Sequence, residues 1–262
     1  MKSKVFVLIF TALFALATFV ITGCSDENGE TAPDINNGAS SEPEHTGETA
    51  PDINNEASSE PVQIPEYITI QGERFSTALT YLDLIHLELT NADIEPLRYM
   101  VNLTGLWIGE WPTHGQISDL TPLEGLTNLT ILQLNYNQIS DLTPLEGLTN
   151  LTSLSVGFNQ ISDLTPLEGL TNLANLWLNG NQIRDITPLE GLTNLAYLWL
   201  SDNQISDLTP LSRLTNLARL GLNGKRISDL TLLEGLTNLT ILQLGFNQIS
   251  DITSVRFCQG CN

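Results

Sequence analysis

Basic residues are scarce in this chain: 10 Lys and Arg stand against 30 Asp and Glu in 262 residues, a formal net charge of −20. A protein that grips nucleic acid needs a basic face to meet phosphates, so a nucleic-acid partner is not expected. Histidine is scarcer still, and His45, His86 and His114 are scattered, which leaves little for a metal site or a catalytic base. Three Cys cannot build a disulfide framework. The chain has no G-x-S-x-G, no H-E-x-x-H, no Gly-rich phosphate loop and no nucleophile–base–acid set. The expectation is a protein that is not an enzyme and takes no cofactor or metal. Past the N-terminus no run is apolar enough to span a bilayer. Hydrophobic residues nevertheless make up 41% and charged ones 15%, which suits a chain with a packed core.

The N-terminus carries a separate message. Lys2 and Lys4 precede an apolar run from Val5 to Ile21, a secretory pattern too short and too early for a membrane span. The run ends Ile21-Thr22-Gly23-Cys24. That ending resembles the bacterial lipobox, in which an aliphatic residue and two small ones precede a Cys. The resemblance implies a signal peptide over 1–23 and acylation at Cys24, whose acyl chains would anchor the protein outside the cytoplasm. An ordinary signal peptide with an incidental Cys is the alternative. Residues 24–64 follow as an acidic tether. Ser25 to Gln63 hold ten acids, no Lys or Arg and no aromatic, and GETAPDINNGASSEP at Gly29 recurs as GETAPDINNEASSEP at Gly47, 18 residues on. Such a segment buries too little apolar surface to order itself, and its like charges extend it.

The rest repeats. ISDLTPLEGLTNL begins at Ile117, with close copies at Ile139, Ile161, Ile183, Ile205 and Ile227 and a partial one at Ile249, a period of 22. One unit reads Leu129-x-x-Leu132-x-Leu134-x-x-Asn137-x-Ile139. A fixed period with L-x-x-L-x-L-x-x-N is the leucine-rich-repeat pattern. Leu132 and Leu134 alternate and so share one face of a short strand. Leu129, Ile139, Leu142, Leu145 and Leu148 fill the same interior, and one coil cannot cover it without its neighbours. Thr143-Pro144-Leu145-Glu146 suits one short turn of helix, expected to be 3₁₀ by length, with Thr143 as its cap. The fold class expected is therefore α/β: a leucine-rich-repeat solenoid, or horseshoe, with a parallel concave sheet and short 3₁₀ or irregular convex segments. Residues 65–78 read as an N-terminal cap, 79–254 as the repeats and 255–262 as a tail. Leu79-x-x-Leu82 and Leu103-x-x-Leu106 match the strand at irregular spacings, the second followed by an insertion, GEWPTHGQ.

The 22-residue unit resembles the internalin-type class of bacterial surface proteins, from about Leu79 to Asp251. That resemblance implies a buried ladder of Asn137, Asn159, Asn181, Asn203 and Asn247, whose amides satisfy backbone groups at the bend. It also implies adhesion or recognition of another protein. Lys225 stands where the ladder Asn is expected, so that turn should be distorted.

Because the coils are alike, their departures carry the site. The residues expected to face out of the concave sheet include Trp107, Trp177 and Trp199 between the paired Leu, and Asn175, Tyr197 and Arg219 just before them. Tyr136 and Phe158 precede the ladder Asn. Trp177 and Trp199 lie one coil apart in one column, so their rings should lie side by side. Exposed aromatics beside polar groups mark binding surfaces. The reading is a monomeric, membrane-tethered module that binds a protein through this face. A glycan ligand, or a structural envelope role with no ligand, are the alternatives. Cys258 and Cys261 have C-x-x-C spacing without the context of a redox or zinc site. The Asn-Leu-Thr triplets at Asn102, Asn128, Asn150 and Asn238 match the glycosylation pattern but belong to the repeat. Asp141 and Glu146 recur in nearly every coil, as capping and solvated convex residues would.

Overall fold

The computed structural model describes residues 63–109, 115–224 and 227–249. The signal peptide, Cys24, the tether up to residue 62, Trp111, Lys225, Cys258 and Cys261 lie outside these residues.

The described chain opens with a hairpin, β1 (Tyr67–Ile70) and β2 (Glu73–Ser76), paired antiparallel with Ile68 opposite Phe75. Its two-residue connection, Gln71-Gly72, has positive φ at both positions (47° and 89°), which the right-handed twist of a tight hairpin requires. Ile68 and Ile70 are buried in the same core as the coils that follow.

Eight three-residue strands then pair in parallel, in chain order: β3 (Tyr81–Asp83), β4 (Gly105–Trp107), β5 (Ile131–Gln133), β6 (Ser153–Ser155), β7 (Asn175–Trp177), β8 (Tyr197–Trp199), β9 (Arg219–Gly221) and β10 (Ile241–Gln243). The middle residue of each strand is Leu, in register from Leu82 to Leu242. The leucine-rich-repeat solenoid expected from the sequence is what forms, and the irregular spacings before β5 do not disturb the register.

The core is one continuous column of aliphatic side chains. In the coil of β5, Leu129, Leu132, Leu134, Ile139, Leu142, Leu145 and Leu148 are all buried, together with Leu151. Each return path carries a single 3₁₀ turn, such as Thr143–Leu145. Thr143 is not its cap. The cap position is Leu142, and the free amide of Thr143 instead donates to Asp141 Oδ1 at 2.8 Å. An Asp two residues upstream reaches that amide easily, whereas Thr already inside the turn does not. The same bond recurs from Thr121 to Asp119, Thr165 to Asp163, Thr187 to Asp185, Thr209 to Asp207 and Thr231 to Asp229. One coil differs: a helical turn, α1 (Asn91–Ile94), runs into a 3₁₀ segment at Glu95–Tyr99, and the Thr90 amide donates to Asp93 Oδ2 at 2.8 Å.

Two columns of asparagine tie the coils together. Asn159 is buried; its Nδ2 donates to the carbonyls of Leu134 and Val156 (3.0 and 3.1 Å), and its Oδ1 accepts from the Ile139 amide at 3.0 Å. Asn181 and Asn203 repeat the arrangement. Asn137 Oδ1 accepts from Ile117 N, and Asn247, half-buried in the last coil, accepts from Ile227 N. The second column lies on the surface. Nδ2 of Asn128, Asn150, Asn172, Asn194, Asn216 and Asn238 each donates to a carbonyl of the preceding coil, at 2.8–2.9 Å. A glycan on Asn128, Asn150 or Asn238 would break one of these bonds.

Candidate functional site: the concave face

Because each strand has Leu at its centre pointing inward, its first and third residues point to the concave face. The first positions run Tyr81, Gly105, Ile131, Ser153, Asn175, Tyr197, Arg219, Ile241. The third positions run Asp83, Trp107, Gln133, Ser155, Trp177, Trp199, Gly221, Gln243. Among these sixteen side-chain positions Asp83 and Arg219 are the charged ones. The acids of the return paths stand elsewhere, so an acidic protein presents a nearly neutral face.

The aromatic residues group at two places. At the N-terminal end Tyr81, 60% exposed, stacks on Trp107 with ring centroids 6.1 Å apart. Gly105 makes room for both: a Cβ there would come within 2.7 Å of each ring. Further along, Trp177 and Trp199 are register partners on β7 and β8, with Asn175 opposite Tyr197. The two indoles do not form a ring stack; among the described residues the stacked pairs are Tyr81–Trp107 and Tyr136–Phe158. Trp199 reaches the other way, over Gly221 of β9, where a Cβ would lie 2.2 Å from its Cε3. The missing side chain at Gly221 decides the direction. Trp177, Tyr197 and Trp199 are half-buried, and the Arg219 guanidinium sits 4.7 Å from the Tyr197 ring centre. That separation is a cation–π contact, which keeps a cation on a face otherwise without one.

Tyr136 and Phe158 are not on the sheet face. They occupy the turn after the strand with φ of 56° each, the left-handed region, where Gly180 and Gly224 stand in sister coils. Bulky residues adopt that conformation at a cost, so the position favours Gly unless the side chain gains something. Here the two rings stack in parallel at 4.5 Å, and Phe158 also covers Gly180. They form a ridge along one edge of the concave face. Nearby, Asn135 Oδ1 accepts from Ser155 Oγ and Gly157 N at 2.8 and 2.7 Å, which ties the coils of β5 and β6 together.

Tyr81 and Asp83 were missing from the residues singled out in the sequence, although Leu82 marked their strand. The first coil strays from the repeat, so its outward positions carry no repeat signal in the sequence.

On the return paths the Asp carboxyls titrate below the ordinary value. For Asp141 the hydroxyl and amide of Thr143 are the main cause, partly opposed by repulsion from Asp163 and Asp119. Asp119, Asp163, Asp185, Asp207 and Asp229 are lowered in the same way by their own Thr. These are capping residues, and no group of three or more His, Cys, Asp or Glu among the described residues could hold a metal ion. A shallow hollow lies beside them, lined by Ser162, Gln182, Arg184, Asp185 and Gln204, with Arg184 Nε donating to Gln204 Oε1 at 2.9 Å.

The chain matches the family model described as Leucine Rich repeats (2 copies) over residues 127–169, 171–213 and 215–256. Among solved structures it is similar to internalin C2 of Listeria monocytogenes, with 38% identity and a TM-score of 0.63 over 70% of this chain and 80% of that one. A second internalin of Listeria monocytogenes, inlF, shows 31% identity and a TM-score of 0.57 over 71% and 68% of the two chains. A leucine-rich-repeat protein of Leptospira interrogans shows 27% identity and a TM-score of 0.55 over 64% of this chain and 43% of its own. No curated protein matches the chain in sequence.

Proposed function

We propose that this chain, which belongs to the internalin-like family of leucine-rich-repeat proteins, recognises another protein through its concave face while held at a membrane by a lipid on Cys24. Leucine-rich-repeat proteins are typically binding scaffolds, and the fold and its neighbours support protein recognition. One observation carries the assignment to the concave face: Trp177, Tyr197 and Trp199 stand half-buried beside Arg219 on a surface almost free of charge, in a protein of net charge −20. Aromatic and Arg side chains on a preformed, rigid sheet are the groups that dominate binding energy, because ordering them on contact costs little. Asn175 and the Tyr136–Phe158 ridge would flank the anchors, with Trp107 at the far end.

The test uses residues 65–262 beside a Trp177→Ala/Trp199→Ala double variant, both checked by circular dichroism and passed over arrays of surface proteins and polysaccharides. Loss of a protein hit in the folded variant supports the reading; equal binding by both refutes it. A second reading, glycan binding, is favoured by the same indoles beside the amide of Asn175, since sugar rings stack on aromatic faces. A polysaccharide hit lost in the variant would put it first.

The anchor rests on the Lys2–Cys24 pattern alone. No helix among the described residues is long and apolar enough to cross a membrane. Cells expressing the full chain should incorporate labelled palmitate, and Cys24→Ser should release the protein from the membrane fraction. Incorporation that persists in Cys24→Ser would refute the assignment.

A further inference from the structure

The aromatic pair at the N-terminal end of the concave face has a carboxylate beside it and no cation. Tyr81 and Asp83 are the outward residues of β3, both exposed, and Gly105 and Trp107 are those of β4. In register Tyr81 faces Gly105 and Asp83 faces Trp107, across a strand spacing of about 4.8 Å. The rings of Tyr81 and Trp107 both lean over Gly105, inclined 26° to each other. The Asp83 carboxylate borders them. Its Oδ1 accepts from the Ile85 amide at 3.1 Å, and among the described residues Asp83 has no ion-pair partner. Two other tyrosines of the chain do hold a cation: Arg74 lies 4.5 Å from the Tyr67 ring centre and Arg219 4.7 Å from that of Tyr197.

We propose that Tyr81, Trp107 and Asp83 receive a protonated side chain of the protein partner, arginine in preference to lysine. This rests on the concave-face reading and adds to it which way the partner lies. The electron-rich face of an aromatic ring attracts a cation, and Tyr81 offers its ring to solvent. A guanidinium is planar, so it can lie flat on that ring while its N–H groups reach a carboxylate; an ammonium is a single point of charge and fits only one of the two contacts well. The charges of the face agree. Asp83 on β3 and Arg219 on β9 are its charged outward residues, six strands apart, or about 29 Å along the sheet. Arg219 repels a cation from the Trp177–Trp199 end, whereas Asp83 attracts one to the Tyr81–Trp107 end. The aromatic residues of one face therefore take different chemistry at its two ends.

The test uses the full chain labelled with fluorotryptophan, its fluorine resonances assigned by single Trp→Phe variants. The probe is N-acetylarginine amide, and N-acetylcitrulline amide is its uncharged isostere. The Trp107 resonance should shift and saturate with a dissociation constant on the order of 10 mM, as one exposed cation–π contact and one charge-assisted hydrogen bond allow. The Trp177 and Trp199 resonances should stay in place. Citrulline should bind about fivefold or more weakly. Asp83→Asn keeps an acceptor for the Ile85 amide, so it should fold, and it should weaken the arginine probe by a similar factor. Equal binding of citrulline, or a Trp107 resonance unmoved up to about 50 mM probe, would overturn the proposal. So would a shift at Trp177 in place of Trp107. The concave-face reading itself falls separately, on the protein arrays with the Trp177→Ala/Trp199→Ala variant.

Discussion

The indole of Trp199 lies over Gly221, so close that a Cβ there would sit 2.2 Å from the ring. Neither residue is special alone. Together they turn an aromatic side chain along the concave sheet towards β9 and give the proposed binding surface its shape. Gly221→Val should therefore displace Trp199 without unfolding the solenoid, since position 221 faces out of the sheet and its φ is not left-handed. Affinity for any concave-face ligand should fall about tenfold or more, roughly 1.4 kcal/mol. Titration of Trp177→Ala and Gly221→Val beside wild type checks this. Full affinity in Gly221→Val would mean that the Trp199 orientation plays no part.

The two asparagine columns should differ in strength. Asn159→Ala removes a buried amide and strands the Ile139 N–H, while the Leu134 carbonyl keeps the 3.3 Å bond from Asn137 Nδ2. A buried group left unpaired costs about 1–3 kcal/mol, so a loss in that range is expected. Asn172→Ala removes one bond at the exposed surface, to the Thr149 carbonyl, and should cost about 0.5–1 kcal/mol. Urea denaturation of both variants measures the contrast, and equal costs would contradict the burial argument.

Acid should loosen the return paths in a predictable window. The Asp141, Asp163 and Asp185 carboxyls are held below their ordinary value chiefly by hydrogen bonds from the following Thr. A group whose folded pKa is depressed contributes stability above its unfolded value of about 3.9, and that contribution drains as pH falls through the folded pKa. Thermal midpoints should hold from pH 7 to about 5 and drop below about pH 4. Asp163→Asn keeps an acceptor for the Thr165 amide but cannot titrate, so its midpoint should fall less steeply with acid than the wild type does. Parallel curves for the two proteins would show that the Asp column is not the titrating set.

Much of this was legible because the repeat is strict. A period of 22 residues with Leu at fixed offsets determines which side chains face inward, and burial of Leu132, Leu154 and Leu176 follows from the pattern alone. The strands, their parallel order and the 3₁₀ turns come with it, since each coil has one way to bury its apolar side against the next. What the pattern could not express was contact between coils through polar or aromatic groups. Asn128, Asn150 and Asn238 looked like acceptor triplets because their carbonyl partners lie 23 or more residues away. Thr143 looked like a cap because the true acceptor, Asp141, is defined by where the turn begins in space. Trp177 and Trp199 occupy the same column, yet the direction of Trp199 was decided by the empty site at Gly221. Core position is a property of spacing along the chain, whereas the orientation of a surface ring depends on which neighbour leaves it room, and that exists only once the coils are stacked.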